Sequence, residues 1–342
     1  PYRMYYDFKE PVNKIAPHRV LAINRGEKEE FLAVSLEAPE ERIIDWLKGR
    51  TISKSGSIFT EIIEKAVEDA YKRLIAPSIE NEIRGILTEA ASEQAIKVFS
   101  ENLRNLLLQP PVKGMTVLGL DPAYRTGCKL AVVNEIGKVL HTGVIYPTPP
   151  QNKVAEAAAT LKALIEKYDV DVIAIGNGTA SRESEIFVAG VIKTLNKKVR
   201  YMVVSEAGAS VYSASKLAAE EFPDFDVSLR SAVSIARRLQ DPLAELVKID
   251  PKAIGVGQYQ HDMNQKRLGE ALSGVVESCV NSVGVDLNTA SPSLLSYVAG
   301  INSTIANNIV EYREENGGFK TRKQLMKVKK LGDKTFEQCA GF

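Results

Sequence analysis

The sequence predicts a multidomain α/β plus α protein, in which a mixed β-sheet domain is flanked by a mainly helical N-terminal region and a C-terminal pair of helical hairpin units. Three observations predict it. Before Pro110-Pro111, apolar residues recur at three- and four-residue spacing. After it, short apolar strands alternate with helices. Beyond about residue 282, short capped helices and glycine turns replace both.

The 342 residues leave room for two or three cores, and 44% apolar with 25% charged residues describes an ordinary globular chain. Cys128, Cys279 and Cys339 are far apart, with no CxxC pair, and His18, His141 and His261 lack ligand spacing. We therefore expect a reducing, cytoplasmic setting, no metal and no cofactor. No apolar run reaches membrane length, so no membrane partner is expected. The chain begins at Pro1 and its last helix stops at "CAGF", which reads as a piece of a longer protein, truncated at its end.

In chain order, "RVLAINRGEKEEFLAVSLE" reads as a β-hairpin around Arg25-Gly26-Glu27. Amphipathic helices follow, for example through Ile58, Ile62, Ile63, Ala66, Val67 and Ala70, and end at Pro110-Pro111. These prolines with Lys113-Gly114 close a first region, 1–112, a β-hairpin plus helices. Region 113–245 runs β-β-β-α-β-α-β-α, from "TVLGLD" through "DVIAIG" to "YMVVSE" and a last helix "SLRSAVSIARRLQ". Residues 246–281 read as a connecting segment with a loop at Gly255 and Gly257, then a helix.

Region 282–342 reads as two helix-turn-helix units joined at Gly317-Gly318. Ser291-Pro292 gives an N-cap followed by proline at the first helical position, and Thr321 with Gln324 forms a capping box. Each unit carries a short hairpin, "VAGINST" and "VKKLGDK". From Gly318 to Lys334, seven basic residues stand against Asp333 alone, on a chain whose net charge is only +1. That asymmetry points to a polyanion.

The order of elements resembles the ribonuclease H-like fold. "GLDPAYRTGCKLAVVN", "IGNGTASRESE" and "VSEAGASVYSAS" resemble the YqgF domain of Tex transcription accessory proteins, and "KIDPKAIGVGQYQHD" is similar to Tex as well. The C-terminal units are similar to tandem helix-hairpin-helix DNA-binding modules. Ribonuclease H-like nucleases hold two Mg²⁺ ions between converging carboxylates. By the resemblance, Asp121 at the end of the first strand and Glu206 at the end of the fourth match the first two catalytic acids. Where the third should lie, the chain reads Arg230 and Ser231. Asp224 and Asp226 lie just before that helix and could in principle stand in for the third acid, though neither has a helix to orient it, and an arginine beside the two acids is expected to neutralise the site. The centre is thus expected to be degenerate, with Asp121 and Glu206 as vestiges. Taken singly, Asp121 also fits a turn residue and Glu206 a first-turn helix acid. "GLDPAYRTG" also invites comparison with actin-like ATPase loops, for which "IGNGT" is a poor second loop.

The resemblance implies a core scaffold that binds nucleic acid and assists transcription; the missing third acid points to a non-enzymatic protein, and the lack of a recognition helix with base-edge side chains points to sequence-independent binding. Contacts to DNA or RNA phosphates are expected from Gly300, Ile301, Asn302, Ser303 and Thr304 of the first hairpin and Lys329, Lys330, Gly332 and Lys334 of the second. The alternatives are a metal-dependent nuclease or junction resolvase, and a structural scaffold contacting RNA polymerase.

Overall fold

The computed structural model describes residues 2–53 and 56–342. The chain forms two compact units, Pro1–Val98 with Gly257–Gln265, and Phe99–Val256 with Lys266–Phe342.

The first unit contains α1 (Pro17–Lys28), α2 (Glu40–Thr51), α3 (Thr60–Ala70) and most of α4 (Ala76–Leu107). The expected N-terminal hairpin is overturned, because its first half is α1. Pro17 opens that helix with its fixed φ. Gly26 is no turn residue either. An added Cβ there would lie 2.6 Å from Leu32 Cδ1 and 2.9 Å from Tyr2 Cδ1, so this glycine permits close packing inside a helix. The second half, Leu32 to Glu37, keeps the two-residue alternation of a strand, with Leu32, Val34 and Leu36 half-buried, yet has no sheet partner among the described residues. Val20 and Leu21 of α1 pack on Ala91 of α4, with Leu87 and Tyr259 beside them. Arg25 grips Asp262 (Nε to Oδ2 2.9 Å) and lies 4.7 Å over the Tyr259 ring, so the loop expected to connect regions returns to this unit.

In the second unit, the end of α4 buries Phe99, Leu103 and Leu107. The helix stops just before Pro110, as proline requires. Five strands follow: β1 (Val117–Asp121), β2 (Cys128–Val133), β3 (Val139–Ile145), β4 (Val172–Gly176) and β5 (Arg200–Val204). Their order is β3-β2-β1-β4-β5, antiparallel across the first three and parallel from β1 to β4 to β5. This is the mixed sheet of the ribonuclease H-like fold. Glu206 follows the fifth strand, not the fourth.

Strand alternation divides the core. Leu118, Leu120, Leu130, Ile173 and Ile175 face α5 (Val154–Lys167) and α6 (Ser181–Ile192). Val117, Ala131, Val133 and Ala174 face a later helix through Ala232, Ile235, Ala236 and Leu239. Between these elements lie α7 (Ala209–Ser213) and α8 (Lys216–Glu221), and the later helix is α9 (Val227–Gln240). At Gly119 a Cβ would meet Ala232 O at 2.3 Å, so glycine lets α9 lie directly on β1.

The unit closes with α10 (Pro242–Leu246), α11 (Gln265–Val283), α12 (Pro292–Leu295), α13 (Ser303–Asn316), a 3₁₀ turn (Arg322–Lys327) and α14 (Asp333–Cys339). Ser291 caps α12 by accepting from Leu294 N at 3.2 Å. Gln324 closes the expected capping box by accepting from Thr321 N at 3.0 Å. Among the described residues, no helix is long and apolar enough to cross a membrane.

Candidate carboxylate centre and nucleic-acid interface

The sheet brings Asp121 and Glu206 together, although β4 lies between their strands. Glu206 crosses the end of β4 because two glycines clear its path. A Cβ on Gly178 would fall 1.5 Å from Glu206 Oε1, and one on Gly176 2.8 Å from Oε2. The Gly178 backbone N–H donates to the carboxylate, and Asn177 Oδ1 accepts from Glu206 N at 3.0 Å. The "IGNGT" loop is thus the seat of Glu206, a role that its sequence did not signal.

Burial raises the pKa of both acids, and the charge of Asp121 raises that of Glu206 further. Ser231 of α9 donates to Asp121 and opposes the rise. Arg230, one residue earlier, points elsewhere, since each helical residue turns about 100°. Its guanidinium donates to Phe222 O (3.1 Å) and Ser213 O (3.3 Å), so it is not the arginine expected beside the acids. Asp226 is also corrected: it caps α9, accepting from Leu229 N (2.8 Å) and Ser228 Oγ (2.9 Å), and these bonds lower its pKa.

Two cations that sequence reasoning missed border the centre. Lys129 is directly opposite Asp121 in the β1–β2 register and only 7% exposed. Its ammonium donates to Thr126 O (2.7 Å) and Gly127 O (2.9 Å), and its charge acts on Asp121. Arg238, 3% exposed, donates to Ser205 O (2.9 Å) and Ala207 O (2.7 Å), the residues on either side of Glu206. Burial pushes its pKa down to about 10. The turn joining β1 to β2 was the one sequence signal that pointed to Lys129.

The two C-terminal hairpins share one backbone. Gly300 and Lys330 have φ of +80° and +66°, and Asn302 and Gly332 precede their helices at φ −97° and −90°. Ile301 N donates to Val298 O (3.0 Å) as Leu331 N does to Val328 O (3.2 Å). Their surroundings differ. A Cβ on Gly300 would meet Gln338 Oε1 at 2.8 Å, so α14 covers that glycine, whereas among the described residues nothing lies within 4 Å of the same point on Gly332. In the first hairpin Ala299 N is taken by Asn281 Oδ1 (2.9 Å), Asn302 caps α13 through Ile305 N (3.0 Å), and Ile301 is buried. Asn302, Ser303 and Thr304 are exposed, without a nearby lysine on the hairpin. In the second, Lys329, Lys330 and Lys334 are all exposed, with Glu311 4.0 Å from Lys329.

Comparison with known families matches these parts in order. Residues 1–99 match the Tex central region-like model, 115–240 the Tex protein YqgF-like domain and 280–342 the helix-hairpin-helix motif. The chain belongs to the Tex family. It is 60% identical over 341 residues to an uncharacterized protein of Bacillus subtilis, YdcI, covering all of this chain and 47% of that protein. It is 51% identical over 353 residues to the transcriptional accessory protein Tex of Neisseria gonorrhoeae, covering 99% of this chain and 45% of that one. With protein tex of Bordetella pertussis it shares 50% over 355 residues, covering 100% and 45%. The chain thus spans about half the length of the curated relatives it matches.

The ribonuclease H-like fold of the Tex YqgF domain implies divalent metal ions, and the donor set here does not suit them. Two metal ions need several convergent, ionised carboxylates. This centre offers two carboxylates whose burial favours the protonated form, a hydroxyl at Ser231 in the third position, and two buried cations. Among the described residues, no group of three or more His, Cys, Asp or Glu side chains is arranged to hold a metal ion.

Proposed function

We propose that this Tex chain is a cytoplasmic, non-enzymatic nucleic-acid-binding part of a transcription accessory protein. It engages phosphates without reading sequence, and its ribonuclease H-like centre is non-catalytic. One observation carries the reading: the second hairpin presents an uncovered Gly332 backbone among exposed Lys329, Lys330 and Lys334. An anion beside Gly332 would meet backbone N–H groups together with ammonium charge. Gly300, Asn302, Ser303 and Thr304 make a weaker, secondary contact through backbone and hydroxyl groups, while Ile301 serves as the apolar anchor of its hairpin.

Affinity for single- and double-stranded DNA and RNA, measured from 50 to 200 mM salt, tests this. Contact with roughly two to four phosphates gives a slope of log K on log salt near −2 to −4, a loss of roughly 16- to 250-fold over that range. Replacing Lys329, Lys330 and Lys334 by Ala should weaken every sequence alike and flatten the slope. Untouched affinity and slope in that variant would replace this reading with a packing scaffold that contacts RNA polymerase.

A further inference from the structure

Asp121, Lys129 and Ser231 face the same side of the sheet. β1 turns Val117, Gly119 and Asp121 toward α9, and β2 turns Lys129, Ala131 and Val133 the same way, as the shared α9 core of Val117, Ala131 and Val133 requires. Opposed residues of an antiparallel pair have Cβ atoms about 4.5–5.5 Å apart. The Lys129 ammonium cannot swing out to water, because two carbonyls hold it and the residue is buried. Its charge reaches Asp226 as well as Asp121, but Asp226 is engaged as the α9 cap. On the other side, the charge of Arg238 is shared between buried Glu245, which acts on it more strongly, and Glu206, and its Nε and Nη2 meet no hydrogen-bond partner among the described residues.

We propose that Lys129 is the built-in cation of this centre: its buried, fixed charge offsets that of Asp121, so the pocket refuses divalent metal ions. This rests on the non-catalytic reading and gives it a cause other than the missing third acid. A divalent ion brought beside Asp121 meets the repulsion of the fixed Lys129 charge, which already acts on that carboxylate. Adding a carboxylate at position 231 gives Lys129 a second partner and leaves the ammonium in place. Removing the ammonium exposes a carboxylate pair, with Ser231 as a neutral ligand.

Mn²⁺ binding to the full chain, followed by the electron paramagnetic resonance of free Mn²⁺, tests this in wild type, Lys129→Met and Ser231→Asp. Lys129→Met should bind Mn²⁺ at least about a hundredfold more tightly than wild type, the order expected for removing one unit charge beside a divalent ion at an effective dielectric near 20. Asp121→Asn in that background should abolish the gain. Ser231→Asp alone should gain less than about tenfold, because the new charge falls beside Lys129. A folded Lys129→Met with no gain overturns the proposal. So does a hundredfold gain in Ser231→Asp alone, which decides the matter even if Lys129→Met does not fold. Wild-type Mn²⁺ binding that Asp121→Asn removes, without cleavage of any nucleic acid, sinks this inference and leaves the non-catalytic reading standing. Cleavage that Asp121→Asn removes sinks that reading itself.

Discussion

Lys330 holds, at φ +66°, the left-handed position that Gly300 holds at φ +80° in the companion hairpin. A side chain in that region costs about 1–3 kcal/mol, and the chain bears this cost at an exposed lysine in its most basic segment. Lys330→Gly separates geometry from charge. Strain relief should offset the roughly 0.5–1 kcal/mol of added freedom in the unfolded chain, so stability by urea denaturation should not fall. The lost charge should reduce the salt slope by about one.

Gly332→Val and Gly300→Val form a contrasting pair. Position 332 has open space and an ordinary φ, so Gly332→Val should leave the melting temperature nearly unchanged while weakening nucleic-acid binding at a similar salt slope. Gly300→Val meets Gln338 and needs a positive φ, so it should destabilise by about 2 kcal/mol or more. Equal thermal losses in both variants would contradict the different surroundings of the two hairpins.

Gly178→Ala should expel Glu206 from its seat, since its new methyl group falls on the carboxylate. A destabilisation of about 1–3 kcal/mol is expected from the overpacking. Pairing Gly178→Ala with Glu206→Ala should recover much of it. Denaturant midpoints of the two single variants and the double variant form the required cycle.

The raised pKa values of Asp121 and Glu206 fix the sign of a pH effect. The native state holds these protons more tightly than the unfolded chain does, so their contribution to stability falls as pH rises from the ordinary carboxylate range through the raised values. Asp121→Asn should therefore be more stable than wild type at pH 7, with the difference shrinking toward pH 4. Binding to nucleic acid should be almost unchanged in Asp121→Asn and Glu206→Gln, and no Mg²⁺- or Mn²⁺-dependent cleavage of duplex, hybrid or branched substrates is expected from wild type.

Val112 N donates to Leu239 O at 2.9 Å and Val112 packs on the α9 side of the sheet. A fragment starting at Pro110 should keep the sheet domain folded, and one starting at Lys113 should be weaker for want of this residue. Circular dichroism melts of the two fragments, with limited proteolysis of the chain, check this. Preferred cutting between Val117 and Glu206 would contradict the division.

The amino-acid sequence by itself determined the five strands of the sheet, the long helix before Pro110, the stops at Pro110 and Gly317, and the caps at Ser291 and Thr321, because each depends on neighbours a few residues away, whereas α1 read as a hairpin strand. It also determined that Asp121 and Glu206 stand at element ends and that positive charge gathers in the second hairpin. Tertiary structure decided what each glycine is for. Gly26 resembled a turn and proved to be a packing position, and "IGNGT" resembled a failed phosphate loop and proved to be the space that Glu206 fills. It decided, too, which residue of α9 faces the acids, since one helical step moves a side chain about 100° and exchanges Arg230 for Ser231. Lys129 and Arg238 became part of the centre only when strand register and helix packing carried them there. Local pattern specifies an element and its ends. The electrostatic balance of a buried site depends on charges from distant segments, and only the folded chain brings those within range.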